Sequence, residues 1–209
     1  MFDAVLFDLD GTLIDTESIA LAANLQMFRD MGHPVDVAFL HRLIGKDEPT
    51  SQDIIRAAVP GIDMPALIAG VHALFNAGVE AGLVLKPGAE RLLAQIAQPR
   101  AIVTSSGRPG AHTKLRVAGL AHHFAEVITL DDVGAPKPAP DPYLLAAERL
   151  GVAPARCLVF EDSETGAEAA HRAGCIVVQV PDILPSDGRW AHHLAPDLLA
   201  GARAAGLIG

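Results

Sequence analysis

Ala4-Val5-Leu6-Phe7-Asp8-Leu9-Asp10-Gly11-Thr12-Leu13 sets a short apolar run against two carboxylates placed two residues apart. Ala4 to Phe7 has no polar alternation, the pattern of a strand covered on both faces, as in a parallel sheet. Asp8 and Asp10 at its end cannot be there for stability. Desolvating an unpaired carboxylate costs several kcal/mol, so the pair implies a metal ion, a cationic partner or a chemical task.

The same motif of apolar run and polar end recurs along the chain. Runs at Ala101 to Val103, Glu126 to Thr129, Cys157 to Phe160 and Cys175 to Val180 alternate with helical patterns near residues 88 to 97, 110 to 118, 141 to 151 and 164 to 173. Alternation of this kind predicts an α/β fold: a Rossmann-like parallel sheet with helices on both faces. Thr16 to Ala81 breaks the rhythm, with helical segments at Ser18 to Met31, Val37 to Ile44, Ser51 to Ala58 and Pro65 to Val79 and no strand. A stretch of that length is too long for a crossover and predicts a helical cap domain at 16–81, inserted after the first strand into a core of 1–15 and 82–209. Residues 182 to 195, interrupted by Pro, Gly and Asp, are expected to form a surface excursion before a last helix near 196 to 205. His122-His123 and His192-His193 show no metal-ligand spacing and are expected in exposed loops.

The chain has 209 residues, half of them hydrophobic but only 4% aromatic, so Ala, Leu, Val and Ile must fill the core. A formal net charge of -9 without a Lys/Arg run argues against a nucleic-acid surface, and a phosphorylated ligand would need a local positive pocket. Cys157 and Cys175 lack zinc-type pairing and are expected to be reduced core residues. The chain shows no leader pattern and no uninterrupted apolar run of membrane-spanning length, so the expectation is no membrane, a cytoplasmic location, and a monomer or weak homodimer.

Ligands of open parallel sheets bind beyond the carboxyl ends of the strands. Four such ends are polar: Asp8 and Asp10; Thr104, Ser105 and Ser106; Lys137 in the following loop; and Glu161 with Asp162. Acids in this number suit Mg²⁺, a hard cation that prefers oxygen, while Lys137 and backbone N–H groups near Thr104 and Ser105 suit phosphate oxygens. One carboxylate is then free to attack phosphorus, with a second acid moving the proton. An EF-hand reading of Asp8-Leu9-Asp10 fails, because Leu13 and Ile19 stand where that loop needs Gly and Glu. Ser105-Ser106-Gly107 is no nucleophile elbow either, since Val103 occupies the place of the first Gly.

Phe7-Asp8-Leu9-Asp10-Gly11-Thr12, Thr104-Ser105, Lys137-Pro138-Ala139-Pro140-Asp141 and Glu161-Asp162-Ser163, with Gly166, Ala169, Ala170, Ala173 and Gly174, together resemble the haloacid dehalogenase superfamily over residues 2 to 180. The likeness is to its capped phosphatases and beta-phosphoglucomutase-like members. It implies Asp8 as nucleophile, Asp10 as general acid/base and metal ligand through its carbonyl, and Thr104 and Lys137 on the phosphate. It further implies Asp8 and Asp162 on Mg²⁺, with Glu161 supporting the metal directly or through water. Members that dehalogenate carbon generally lack the second acid, so Asp10 favours phosphoryl chemistry.

The expected activity is therefore Mg²⁺-dependent hydrolysis of a small phosphorylated metabolite, a sugar or sugar-acid phosphate, through an aspartyl-phosphate. Candidates for substrate contact are Thr104, Ser105 and Lys137 in the core, Glu17 and Lys46 in the cap, and Arg108, four residues past Thr104. A phosphomutase is the alternative, but its pattern resembles Asp-Thr followed by a His, and here Asp15-Thr16 leads to Ala20. The mutase's cap arginine also has no match in Gly45-Lys46-Asp47-Glu48. A non-catalytic phospho-ligand sensor is the remaining reading, disfavoured because each expected catalytic group is present.

Overall fold

A computed structural model describes residues 1–44 and 48–209, without the Glu48 side chain. Lys46, one of the candidate substrate contacts, lies outside the described residues. The chain divides into two compact units, Met1–Asp15 with Leu83–Gly209 and Thr16–Gly82.

The first unit is a parallel six-stranded sheet in the order β3-β2-β1-β4-β5-β6. Its strands are β1 (Ala4–Phe7), β2 (Arg100–Val103), β3 (Glu126–Ile128), β4 (Cys157–Glu161), β5 (Ile176–Gln179) and β6 (His193–Leu194). β1 is central, pairing Val5 with Arg100 on one side and Phe7 with Phe160 on the other. Its side chains alternate between two buried layers. Val5 and Phe7 join the layer that contains Leu92 and Leu93 of α5 (Ala89–Gln95), Leu115 of α6 (Arg108–Val117) and Leu198 of α9 (Leu198–Ala204). Ala4 and Leu6 face the other layer, with Tyr143, Ala146 and Ala147 of α7 (Asp141–Leu150) and Ala167 and Ala170 of α8 (Glu164–Arg172). Alanine on these helix faces lets the backbones approach the sheet closely, which is how so few aromatic residues suffice. Among them, Phe7 and Phe160 stack with centroids 5.0 Å apart.

The second unit is helical: α1 (Glu17–Asp30), α2 (Val37–His41), α3 (Glu48–Ala58) and α4 (Met64–Ala81). Asp36 and Asp63 cap α2 and α4 by accepting the N–H groups of Phe39 and Ala66. Gly70 and Gly78 of α4 sit where a β-carbon would strike Met27 and Ile19 of α1, so bare backbone lets the two helices meet. α4 has the length and hydropathy of a membrane-crossing helix, 18 residues at a mean hydropathy of 1.2. It also carries His72, Asn76 and Glu80, and buries Met64 and Leu67 in a cluster with Phe28 of α1 and Leu40 of α2.

The region after β5 departs from expectation. Residues 182 to 195 are not wholly a surface excursion, because His193 and Leu194 form β6 and extend the sheet. His192 is drawn in with them: its N–H donates to the Val177 carbonyl at 2.8 Å, and its Nδ1 accepts the Val177 N–H at 3.1 Å. Two residues are too few to show a strand period.

Candidate active site

The carboxyl ends of β1, β2 and β4 bring the predicted core residues together. Asp8 follows β1 directly, its N–H bonded to the Phe160 carbonyl at 3.0 Å, so the ladder fixes the backbone that carries it. Its side chain points into the layer shared with α7 and α8, where the ammonium of Lys137 lies 2.8 Å from Oδ1. Oδ2 is buried and has no hydrogen-bond partner among the described residues.

Lys137 is almost wholly buried and donates three times: to Asp8, to the Val103 carbonyl at 2.8 Å and to Glu161 Oε1 at 2.6 Å. All three ammonium hydrogens are engaged. Burial alone would lower its pKa, but the facing charges of Asp8 and Glu161 hold it well above the usual lysine range. Glu161 is fully buried. Its Oε1 also accepts the Tyr143 hydroxyl at 2.8 Å, and its Oε2 accepts the Ser163 N–H and hydroxyl at 3.2 and 3.0 Å. Gly166 of α8 makes room for it, since a β-carbon there would collide with the Glu161 carboxylate.

Asp10 is turned to α6. Oδ1 accepts the Lys114 ammonium at 2.6 Å, and Oδ2 accepts the Ser106 hydroxyl at 2.9 Å and the Thr104 hydroxyl at 3.4 Å. The N–H of Thr104 is spent on the Ile128 carbonyl in the sheet, and its Oγ1 accepts the Ser106 N–H at 3.0 Å. Of the expected backbone donors, the Thr104 N–H is therefore already committed to the ladder. Ser105 is exposed.

Asp162 accepts the Thr12 hydroxyl at 3.2 Å. Gly11, at φ +84°, leaves space for it: a β-carbon there would fall 2.5 Å from Asp162 Oδ2. Asp8, Glu161 and Asp162 each offer an oxygen within 4.8 Å of the others. The electrostatics match crowded acids. Burial, followed by the charges of Glu161 and Asp10, pushes Asp8 up to about 7 against the pull of Lys137. Burial, Asp8 and Glu161 push Asp162 up to about 9.

This donor set fits a hard divalent cation. Among the described residues Asp8 Oδ2 is a buried acceptor without a donor, and a bound cation would offset the burial and the neighbouring carboxylates that raise Asp8 and Asp162. Glu161 lies in the same cluster, and its oxygens also receive hydrogen bonds from Lys137, Tyr143 and Ser163.

One substrate candidate of the core stands apart from the carboxylates. Arg108 is half exposed and reaches Asp132 at 2.7 Å, while its N–H donates to Asp131; the guanidinium is paired with the loop after β3 and not with the carboxylate cluster. Glu17 opens α1 in the helical unit. Sequence reasoning missed Lys114 and Tyr143. Both sit on buried helix stripes, Lys114 beside Ala111 and Leu115, and Tyr143 beside Ala146 and Ala147. A lysine on an apolar stripe was the available signal. It also missed Lys86, whose ammonium meets Asp182 Oδ1 at 2.6 Å.

The haloacid dehalogenase-like hydrolase family model matches residues 2–174. The chain belongs to the haloacid dehalogenase-like hydrolases. Among its relatives, hexitol phosphatase A of Escherichia coli is 38% identical over 84% of this chain and 81% of its own length. A fructose-1-phosphate phosphatase of the same organism is 33% identical over 86% of this chain and 96% of its own. A solved structure from Thermotoga maritima, described as a candidate beta-phosphoglucomutase, superimposes with a TM-score of 0.85 at 29% identity, covering 99% of this chain and all of the other. The fold is thus that of the family.

Proposed function

We propose that this hydrolase is a Mg²⁺-dependent phosphatase that cleaves a small phosphorylated metabolite, a sugar or sugar-acid phosphate, with Asp8 as nucleophile. The reaction class, hydrolysis of a phosphoric monoester, rests on the family and on its phosphatase relatives. The observation that carries the role of Asp8 is its division of labour: one oxygen held by Lys137, the other buried without a partner among the described residues.

Bound Mg²⁺, with Asp8, Asp162 and the Asp10 carbonyl as its ligands, would offset the repulsion between the carboxylates and an incoming phosphate dianion. Lys137 holds Asp8 in place and supplies a second positive charge; it contacts the phosphate by exchanging one of its three acceptors. Thr104 and Ser105 are the remaining phosphate contacts. In the first step an Asp8 oxygen bonds to phosphorus as the bond to the leaving oxygen breaks, and Asp10 gives that oxygen its proton. In the second, water bonds to phosphorus, its proton passes to Asp10, and the bond to Asp8 breaks.

Glu161 supports this from behind by anchoring Lys137. The helical unit is assigned the role of a cap that selects the leaving group, with Glu17 and Lys46 as its candidates, and Arg108 is the candidate from the core. A cytoplasmic monomer or weak homodimer completes the reading.

Asp8→Asn tests it. With Mg²⁺ present, the variant is expected to lose turnover across a panel of sugar phosphates while its circular dichroism and melting cooperativity are retained; full activity would overturn Asp8 as nucleophile. The likeness to a candidate beta-phosphoglucomutase favours one second reading, transfer to a sugar hydroxyl. Phosphate release measured beside glucose-phosphate isomerisation separates them, and isomerisation without release would replace the phosphatase by the mutase.

A further inference from the structure

Lys114 is the buried charge that the proposed chemistry leaves unused. It lies on α6 between Ala111 and Leu115, its side chain only 9% exposed, at a position where a packed helix would ordinarily place an aliphatic residue. Burying an ammonium costs several kcal/mol unless a well-placed partner compensates. Its partners are Asp10 Oδ1 at 2.6 Å and Ser106 Oγ at 2.9 Å. Ser106 accepts from Lys114 and donates to Asp10 Oδ2, a double use open to a hydroxyl. Lys114, Ser106 and Asp10 thus close a triangle in which both oxygens of one carboxylate are held by groups two helical turns apart on a single element and its N-terminal approach. The two acids at the end of β1 each have a lysine: Lys137 holds Asp8, and Lys114 holds Asp10.

We propose that Lys114 is a positioning residue for Asp10, fixing the carboxylate through a two-point grip shared with Ser106 so that it is aligned with the leaving oxygen. The inference rests on Asp10 being the group that moves the proton. A carboxylate on a short side chain rotates freely about its last bond unless both oxygens are restrained, and proton transfer needs a donor within hydrogen-bond reach in a defined direction. Rotational freedom lost at Asp10 before substrate arrives is freedom that need not be lost during the reaction.

The test uses leaving groups of graded basicity, a series from p-nitrophenyl phosphate to phenyl phosphate, with Lys114→Met, Lys114→Arg and Ser106→Ala compared with the parent enzyme in Mg²⁺. A p-nitrophenolate departs without a proton, whereas phenolate profits from one. Lys114→Met is expected to lower kcat/KM about tenfold or more for phenyl phosphate, part of the range typical of general acid catalysis, and less than about threefold for p-nitrophenyl phosphate. Lys114→Arg should recover part of the loss, and Ser106→Ala should show the same leaving-group dependence more weakly. In an Asp10→Asn background, Lys114→Met should add no further loss. Equal losses along the series, or a full second loss in the Asp10→Asn background, would overturn the positioning role. Should Lys114→Met fail to fold, the leaving-group slopes of Lys114→Arg and Ser106→Ala decide the matter by the same criterion. Failure of the parent enzyme to hydrolyse every ester in the series would instead strike the phosphatase reading, and the inference with it.

Discussion

Tyr143→Phe removes a single oxygen from the centre of the site's support and leaves nearly everything else in place. The Tyr143 hydroxyl donates to Glu161 Oε1 at 2.8 Å, both residues being fully buried. Burial, with the charges of Glu161 and Asp8 adding to it, holds the phenol well above its ordinary pKa, so it is a donor at every pH of interest. Phenylalanine keeps the ring, which faces the Lys137 ammonium 5.1 Å from its centroid, so that contact survives. What is lost is one hydrogen bond to a buried charged acceptor, a class that contributes about 1.5–3 kcal/mol. The vacated space is one oxygen wide, too small to admit a replacement water. A loss of about 2 kcal/mol follows, a fall of about 4–8 °C in melting temperature for a chain of this size. Urea unfolding followed by circular dichroism at pH 7 measures it. Glu161→Gln provides the control: with a neutral acceptor, the increment from Tyr143→Phe should shrink to about half. A loss below about 0.5 kcal/mol, or an equal loss in both backgrounds, refutes the hydrogen bond as a support of the site.

Alongside the Asp8 and Lys114 variants, two further outcomes are expected. With Asp8 pushed up to about 7 and Asp162 to about 9, the metal-free folded chain holds protons that the unfolded chain releases above about pH 4, so these groups withdraw stability as pH rises through that window. The melting temperature of the parent should therefore decline relative to Asp162→Asn between pH 5 and 9, with added Mg²⁺ flattening the decline; a parent that gains on the variant over that range contradicts the sign. Gly166→Ala should invert the usual rule. In an open helix interior alanine is favoured by about 1 kcal/mol, but here its methyl would strike the Glu161 carboxylate, and a net loss of about 1–3 kcal/mol with reduced turnover is expected in denaturant melts and assays.

The strands that carry the site were legible because both faces are covered. Ala4 to Phe7, Ala101 to Val103 and Cys157 to Phe160 read as unbroken apolar runs, and all three fall within β1, β2 and β4. Most helix ends drifted by a residue or more, with or without a capping side chain, although α7 and α8 begin at Asp141 and Glu164 as expected. α6, for example, begins at Arg108 behind Gly107, two residues earlier than periodicity indicated. β6 was hidden because its pairing depends on backbone groups of β5, which leave no pattern in two residues. For the site, motif spacing located Asp8, Asp10, Thr104, Lys137, Glu161 and Asp162 at neighbouring strand ends, but not the bonds among them. That Glu161 anchors Lys137, and that the Thr104 N–H belongs to the sheet, are facts of direction, which spacing does not encode. Lys114 and Tyr143 come from helix interiors, where a polar atom shows its purpose only once the opposing layer is in place.

The central position of β1 has a consequence for how such a chain comes into being. The strand precedes the sheet's other strands in the chain, so its neighbours arrive late: Phe7 pairs with Ile102 on one side and Phe160 on the other. Until most of the chain has left the ribosome, Ala4 to Phe7 is an apolar ribbon with two open edges, the form most exposed to wrong partners. The helical unit at Thr16–Gly82, built from contacts local to itself, can form in that interval. Asp8 and Asp10, emerging at the end of that ribbon, keep it charged and soluble long before they have a lysine to meet.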